Sequence, residues 1–220
     1  MTTKTKTKTK KSKKPVFLVL ESYWSENLRE KDSVKPFIKG LCDLQDWEFH
    51  YRAFDSVNDL DLWIGTFNKM RRAGKDKIIY LATHGSKAGK LRTLEESIPI
   101  AELGKILAQA KSIVGLHLGS CNLGQPKILE DLAEKTSLDW VAAYEQEVPW
   151  LESTALDLLF WAWIYAGAPR ARRSRKLSPE AAAHELYSRF NYAREMGFRV
   201  VYRQSGGGLG RSWDTWKGPA

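Results

Sequence analysis

Ile78-Ile79-Tyr80-Leu81-Ala82-Thr83-His84-Gly85 and Ile113-Val114-Gly115-Leu116-His117-Leu118-Gly119-Ser120-Cys121 are two apolar runs that each end in reactive side chains. Both runs have the length and β-branched content of a buried strand, and a helix-like segment, Ile100–Ala110, lies between them. Consecutive strands of a parallel sheet joined by a crossover helix lie side by side and finish on the same edge. That edge is where open α/β sheets carry their sites. The order of elements therefore brings the Cys121 thiol and the His84 imidazole together, the minimum kit for a cysteine nucleophile.

Reading outward, Val16–Leu20 and Trp47–Phe54 are expected strands before the first run, and Trp140–Tyr144 and Phe198–Tyr202 after the second. Helices are expected over Ser33–Leu44, Val57–Arg72, Pro126–Lys135, Leu151–Tyr165 and Pro179–Met196. Gly85–Lys90 reads as a loop, with a small hairpin beginning near Leu91–Leu94. The alternation predicts a three-layer α/β/α sandwich around a six-stranded, mostly parallel sheet. The domain is expected over 15–203, with a flexible Gly-rich tail at 204–220 holding Gly206-Gly207-Gly208 and Gly210.

The chain has 220 residues, 43% of them apolar, enough for one sizeable core. Cys42 and Cys121 are too few for a disulfide framework and point to a reducing, cytoplasmic setting. Without CxxC or HExxH spacing, no metal site or cofactor is expected. The net charge of +9 is uneven, because lysines crowd the first fourteen residues in alternation with Thr. Residues 1–14 are too polar to bury surface and read as a disordered basic tail. The longest apolar stretch, Ala155–Ala168, contains Asp157 and is shorter than a membrane span, so it reads as a buried helix and no membrane partner is expected.

The blocks YLATHG and LHLGSC, in this order on consecutive strands, resemble the caspase-like cysteine peptidases: caspases, metacaspases, paracaspases, separases and the bacterial CHAT-domain proteases. Caspases themselves carry Ala before the Cys, Gly two positions after it, and His about 50 residues upstream. Here Ser120 precedes Cys121, Asn122 follows it, and His84 is nearer. Together with the segment Val141–Trp150, this resembles the CHAT-like bacterial members more than true caspases.

The resemblance implies a cysteine endopeptidase with Cys121 as nucleophile and His84 as its proton-transfer partner. Backbone N–H groups of Gly85 and Cys121 would form the oxyanion hole. It also implies a charged pocket near the ends of the first and fifth strands, where Glu21, Glu145, Glu147 and Glu152 stand. Those carboxylates would favour cleavage after Arg or Lys. Arg170–Lys176 would then be a self-cleavage loop, the substrate a protein or peptide, and a sensor protein the regulatory partner.

Other positions read as structural: Cys42 on an apolar helix face, His117 inside its strand, and His50 and His184 likewise. Two other functions fit parts of the chain. One is a catalytically inactive signalling or scaffold domain. The other is a nucleic-acid-associated protein, whose lysine tail would touch phosphates without sequence preference.

Overall fold

The computed structural model describes residues 14–27, 32–71, 74–167 and 176–218. The basic tail up to Lys13 and the basic loop apart from Lys176 lie outside the described residues.

In chain order the elements are β1 (Pro15–Glu21), α1 (Lys35–Gln45), β2 (Glu48–Ala53), α2 (Val57–Lys69) and β3 (Asp76–Ala82). Three short strands follow, β4 (His84–Ser86), β5 (Lys90–Arg92) and β6 (Ser97–Pro99), then α3 (Ile100–Gln109), β7 (Ile113–Leu118), α4 (Pro126–Lys135) and β8 (Trp140–Tyr144). The chain continues through α5 (Trp150–Ala162), a π-helical turn at Trp163–Gly167, α6 (Pro179–Arg189), α7 (Asn191–Glu195), β9 (Phe198–Arg203), β10 (Leu209–Arg211) and α8 (Ser212–Thr215).

The main sheet has the order β10-β9-β8-β7-β3-β1-β2. Strands β2, β1, β3, β7 and β8 are mutually parallel; β9 runs antiparallel to both β8 and β10. Alternation along β1 shows why the sheet is covered on both faces. Phe17 and Val19 enter one apolar cluster with α1, α5 and α6, while Val16, Leu18 and Leu20 enter the other with α2, α3 and α4. The three-layer sandwich expected from the alternation of elements is thus present, with seven strands in place of six.

The seventh strand corrects the reading of 204–220 as a flexible tail. Gly210 is used for close approach: a Cβ there would run into the Tyr202 ring. Just beyond it, the buried Ser212 hydroxyl accepts the Val200 N–H at 3.0 Å and lies 2.8 Å from the Tyr187 hydroxyl. The expected single helix 179–196 also divides, because Phe190 adopts extended backbone (φ −131°, ψ 102°) between α6 and α7.

The apolar stretch around Asp157 is α5, and Asp157 itself is buried against the sheet. It accepts hydrogen bonds from Tyr80 at 2.8 Å and Tyr144 at 2.6 Å, and His117 Nε2 lies 2.9 Å from its Oδ1. Burial and the neighbouring carboxylate push both phenols well above the ordinary tyrosine range. These groups sit among Trp161, Phe160 and Phe198. Removing the shared acceptor would orphan the buried Tyr80 hydroxyl and leave the Tyr144 hydroxyl only the Ser153 carbonyl. Asp157→Ala is therefore expected to lower unfolding free energy by about 3 kcal/mol, read as the shift in a urea denaturation midpoint; an unchanged midpoint contradicts this role.

Candidate active site

Strands β3 and β7 pair with Leu81 opposite Leu118, so the residues just past their ends are neighbours. The Gly119 N–H donates to the Leu81 carbonyl at 2.9 Å and carries that pairing one step further. From there β3 leads into the hairpin of β4 and β5, while β7 turns through Cys121 and Asn122.

Asn122 has a left-handed backbone (φ 63°), a conformation Asn tolerates better than most residues. Its N–H donates to the Gln146 carbonyl at 3.2 Å, and the Gly124 N–H donates to the Tyr144 carbonyl at 2.7 Å. The cysteine loop is thereby stitched to the exit of β8. On its other side lies Gly85, where a Cβ would land on the Cys121 carbonyl oxygen. Only glycine lets the hairpin rest on the cysteine loop in this way.

His84 and Cys121 line one cavity of about 600 Å³, together with Trp24, Arg92, Glu147 and Val148. His84 Nε2 lies 3.0 Å from the Trp24 carbonyl oxygen, and the two rings meet edge to face at 5.2 Å. A carbonyl can only accept, which assigns the proton to Nε2 and leaves Nδ1 as the basic nitrogen of the neutral ring. The Val148 N–H donates to Cys121 Sγ at 3.4 Å and fixes the sulfur at the cavity wall. The cavity therefore holds a half-exposed thiol and an oriented imidazole, the groups that attack on a carbonyl carbon requires.

The other cysteine and histidines are engaged elsewhere. Cys42 is buried, which pushes its thiol up to about 12. His50 pairs with Glu48, and His184 with the Ser212 carbonyl. Among the described residues, no group of three or more His, Cys, Asp or Glu side chains is placed to hold a metal ion. Nor is any described helix long and apolar enough to cross a membrane.

The structure separates the carboxylates singled out in the sequence. Glu147 is exposed and lines the cavity of His84 and Cys121. Glu21 lines an adjoining cavity of about 510 Å³ whose wall, including Trp24, is shared with the first. Glu21 is only 4% exposed, and its oxygens accept hydrogen bonds from Trp24 Nε1, Ser33 Oγ, Val34 N–H and Tyr51 OH at 2.7–3.0 Å. That uses the lone-pair sites a carboxylate offers, and it holds the residue whose carbonyl orients His84. Glu145 is paired with Arg199 at 2.6 Å. Glu152 sits exposed in the first turn of α5, does not line this cavity, and acts electrostatically on Tyr192.

Trp24, Val148 and Arg92 were not singled out in the sequence. Trp24 and Val148 contribute backbone atoms, which no residue pattern marks. Arg92 belongs beside His84 only through the β4–β5 register, in which the two residues are directly opposed.

No family model matches the chain, and no curated protein matches it. In structure it is similar to a secreted C11 cysteine protease from Bacteroides thetaiotaomicron, solved with an irreversible peptide inhibitor. That likeness has a TM-score of 0.52 at 10% identity and covers 86% of this chain and 66% of the protease. The chain is also similar to caspase-1 from Spodoptera frugiperda, with a TM-score of 0.43 at 11% identity, over 63% of this chain and 60% of that one. It thus spans less than two thirds of either protein's length. At such identity the likeness to the C11 protease is one of fold, and the fold of the described residues is caspase-like.

Proposed function

We propose that this protein is a caspase-like cysteine endopeptidase acting on proteins or peptides through Cys121 and His84. The observation that carries this reading is the shared cavity. There the imidazole is oriented by the Trp24 carbonyl and the sulfur is held by the Val148 N–H.

In the proposed reaction His84 takes the thiol proton at Nδ1 and Cys121 Sγ attacks the scissile carbonyl carbon. Backbone N–H groups of Gly85 and Cys121 stabilise the developing oxyanion. The C–N bond then breaks, and the imidazolium returns its proton to the leaving amine. Water hydrolyses the thioester, with His84 again accepting a proton, and the free thiol is regenerated.

Glu147 is the acid that lines this cavity, so the preference for Arg or Lys before the cut rests on it. Glu21 acts instead as a positioning residue, through Trp24.

Fluorogenic peptides ending in Arg, Lys or Asp test the whole reading. Arg and Lys substrates are expected to be cut, Cys121→Ala to abolish turnover, and His84→Ala to lower kcat by about 10²–10⁴-fold. A preference for Asp would reject the assignment of Glu147. Glu147→Gln is expected to reduce kcat/KM for the Arg substrate about five- to tenfold; equal kcat/KM for the two proteins counts against an acidic pocket.

Gly85→Ala tests the geometry separately. Its methyl would collide with the Cys121 carbonyl and displace the hairpin from the cysteine loop. Turnover is expected to fall at least about 10²-fold, since an ångström of misplacement costs that much. Retention of full activity would show that the hairpin does not set the site.

A further inference from the structure

We propose that Arg92 reads a carboxylate on the leaving side of the scissile bond, so that preferred substrates carry an acidic residue just after the cut. This rests on the peptidase reading above and extends it to the substrate's other half.

Arg92 is the cross-strand partner of His84 in the antiparallel pair β4–β5. Directly opposed residues project from the same face of a sheet, with Cβ atoms about 5 Å apart. The Arg92 backbone is fixed as well, because the Thr83 hydroxyl donates to its carbonyl at 2.6 Å. The Arg92 side chain therefore leaves the hairpin on the same face as His84, and both residues line the same cavity.

Direction along the substrate follows from the chemistry. His84 must deliver a proton to the leaving nitrogen, so the peptide after the cut crosses the His84 side of the cavity. The acyl half stays with Cys121 and with the segment Glu147–Val148, whose Val148 N–H touches the sulfur. Arg92 thus lies on the leaving side and Glu147 on the acyl side.

Charge gives the recognition. Arg92 and Glu147 line the same cavity, and neither has an ion-pair partner among the described residues. Other cations near the ends of the sheet are engaged: Arg199 with Glu145, Arg211 with Glu130. Opposite charges that line one cavity without an ion-pair partner among the described residues match a substrate of the reverse polarity, basic before the cut and acidic after it. Arg is suited to this task because its planar fork takes a carboxylate in bidentate fashion.

The test uses internally quenched peptides with Arg before the cut and Glu, Gln or Lys immediately after it. For the wild-type chain kcat/KM is expected to fall in the order Glu, Gln, Lys, by about fivefold at each step. The Glu-to-Lys ratio is the readout, since a disturbed fold lowers both rates but leaves their ratio. Arg92→Gln is expected to flatten that ratio, Arg92→Glu to invert it, and Arg92→Lys to keep part of it. Cys121-dependent cleavage with no preference after the cut, or with Lys preferred there, overturns the role of Arg92 and leaves the peptidase standing. Absence of any Cys121-dependent cleavage overturns both.

Discussion

The candidate site depends on one contact, the Gly85 backbone lying against the Cys121 carbonyl. Parallel pairing of β3 with β7 brings two chain segments to one edge, but pairing alone leaves their side chains free to diverge. The contact fixes how far the hairpin leans over the cysteine loop. With that lean set, His84, Arg92 and Cys121 line one cavity. A methyl group at position 85 is enough to forbid the arrangement. The site is therefore specified by backbone packing as much as by its reactive side chains.

Support for that contact comes from below and from the side. Below, the sheet carries a polar core in which Asp157 receives Tyr80 and Tyr144 and stands beside His117. It ties α5 by hydrogen bonds to β3 and β8 and stands against β7 between them, and β3 and β7 are the strands that lead to His84 and Cys121. From the side, Glu21 gathers Trp24, Ser33, Val34 and Tyr51 around the end of β1. The Trp24 carbonyl then holds His84. Buried carboxylates thus serve as organisers here, Glu21 with four donors and Asp157 with two, while the exposed Glu147 lines the cavity.

Much of this was legible in the sequence because it follows from local pattern. Apolar runs of strand length, alternating with amphipathic helices, specify a covered parallel sheet, and Thr83-His84-Gly85 and Gly119-Ser120-Cys121 mark the edge where the candidate site lies. What escaped depends on partners distant along the chain. Glu21 reads as a pocket acid until its donors, up to 30 residues away, are in place. Gly-rich 204–210 reads as flexible until the Tyr202 ring is seen to need the empty space at Gly210. Phe190 interrupts the expected helix 179–196 at a point where no neighbouring Gly or Pro announces the break. Arg92 acquires meaning only from strand register, which pattern alone does not fix.

The central claim is that Cys121 is a nucleophile activated by His84 and addressed by a peptide. Covalent capture measures this most directly: incubation with an Arg-terminated peptide chloromethylketone, followed by intact mass and peptide mapping. The account predicts one adduct per chain, on Cys121, with Cys42 unmodified and the adduct lost in His84→Ala or in urea. Modification that falls on Cys42, or proceeds at the same rate without His84, would contradict it.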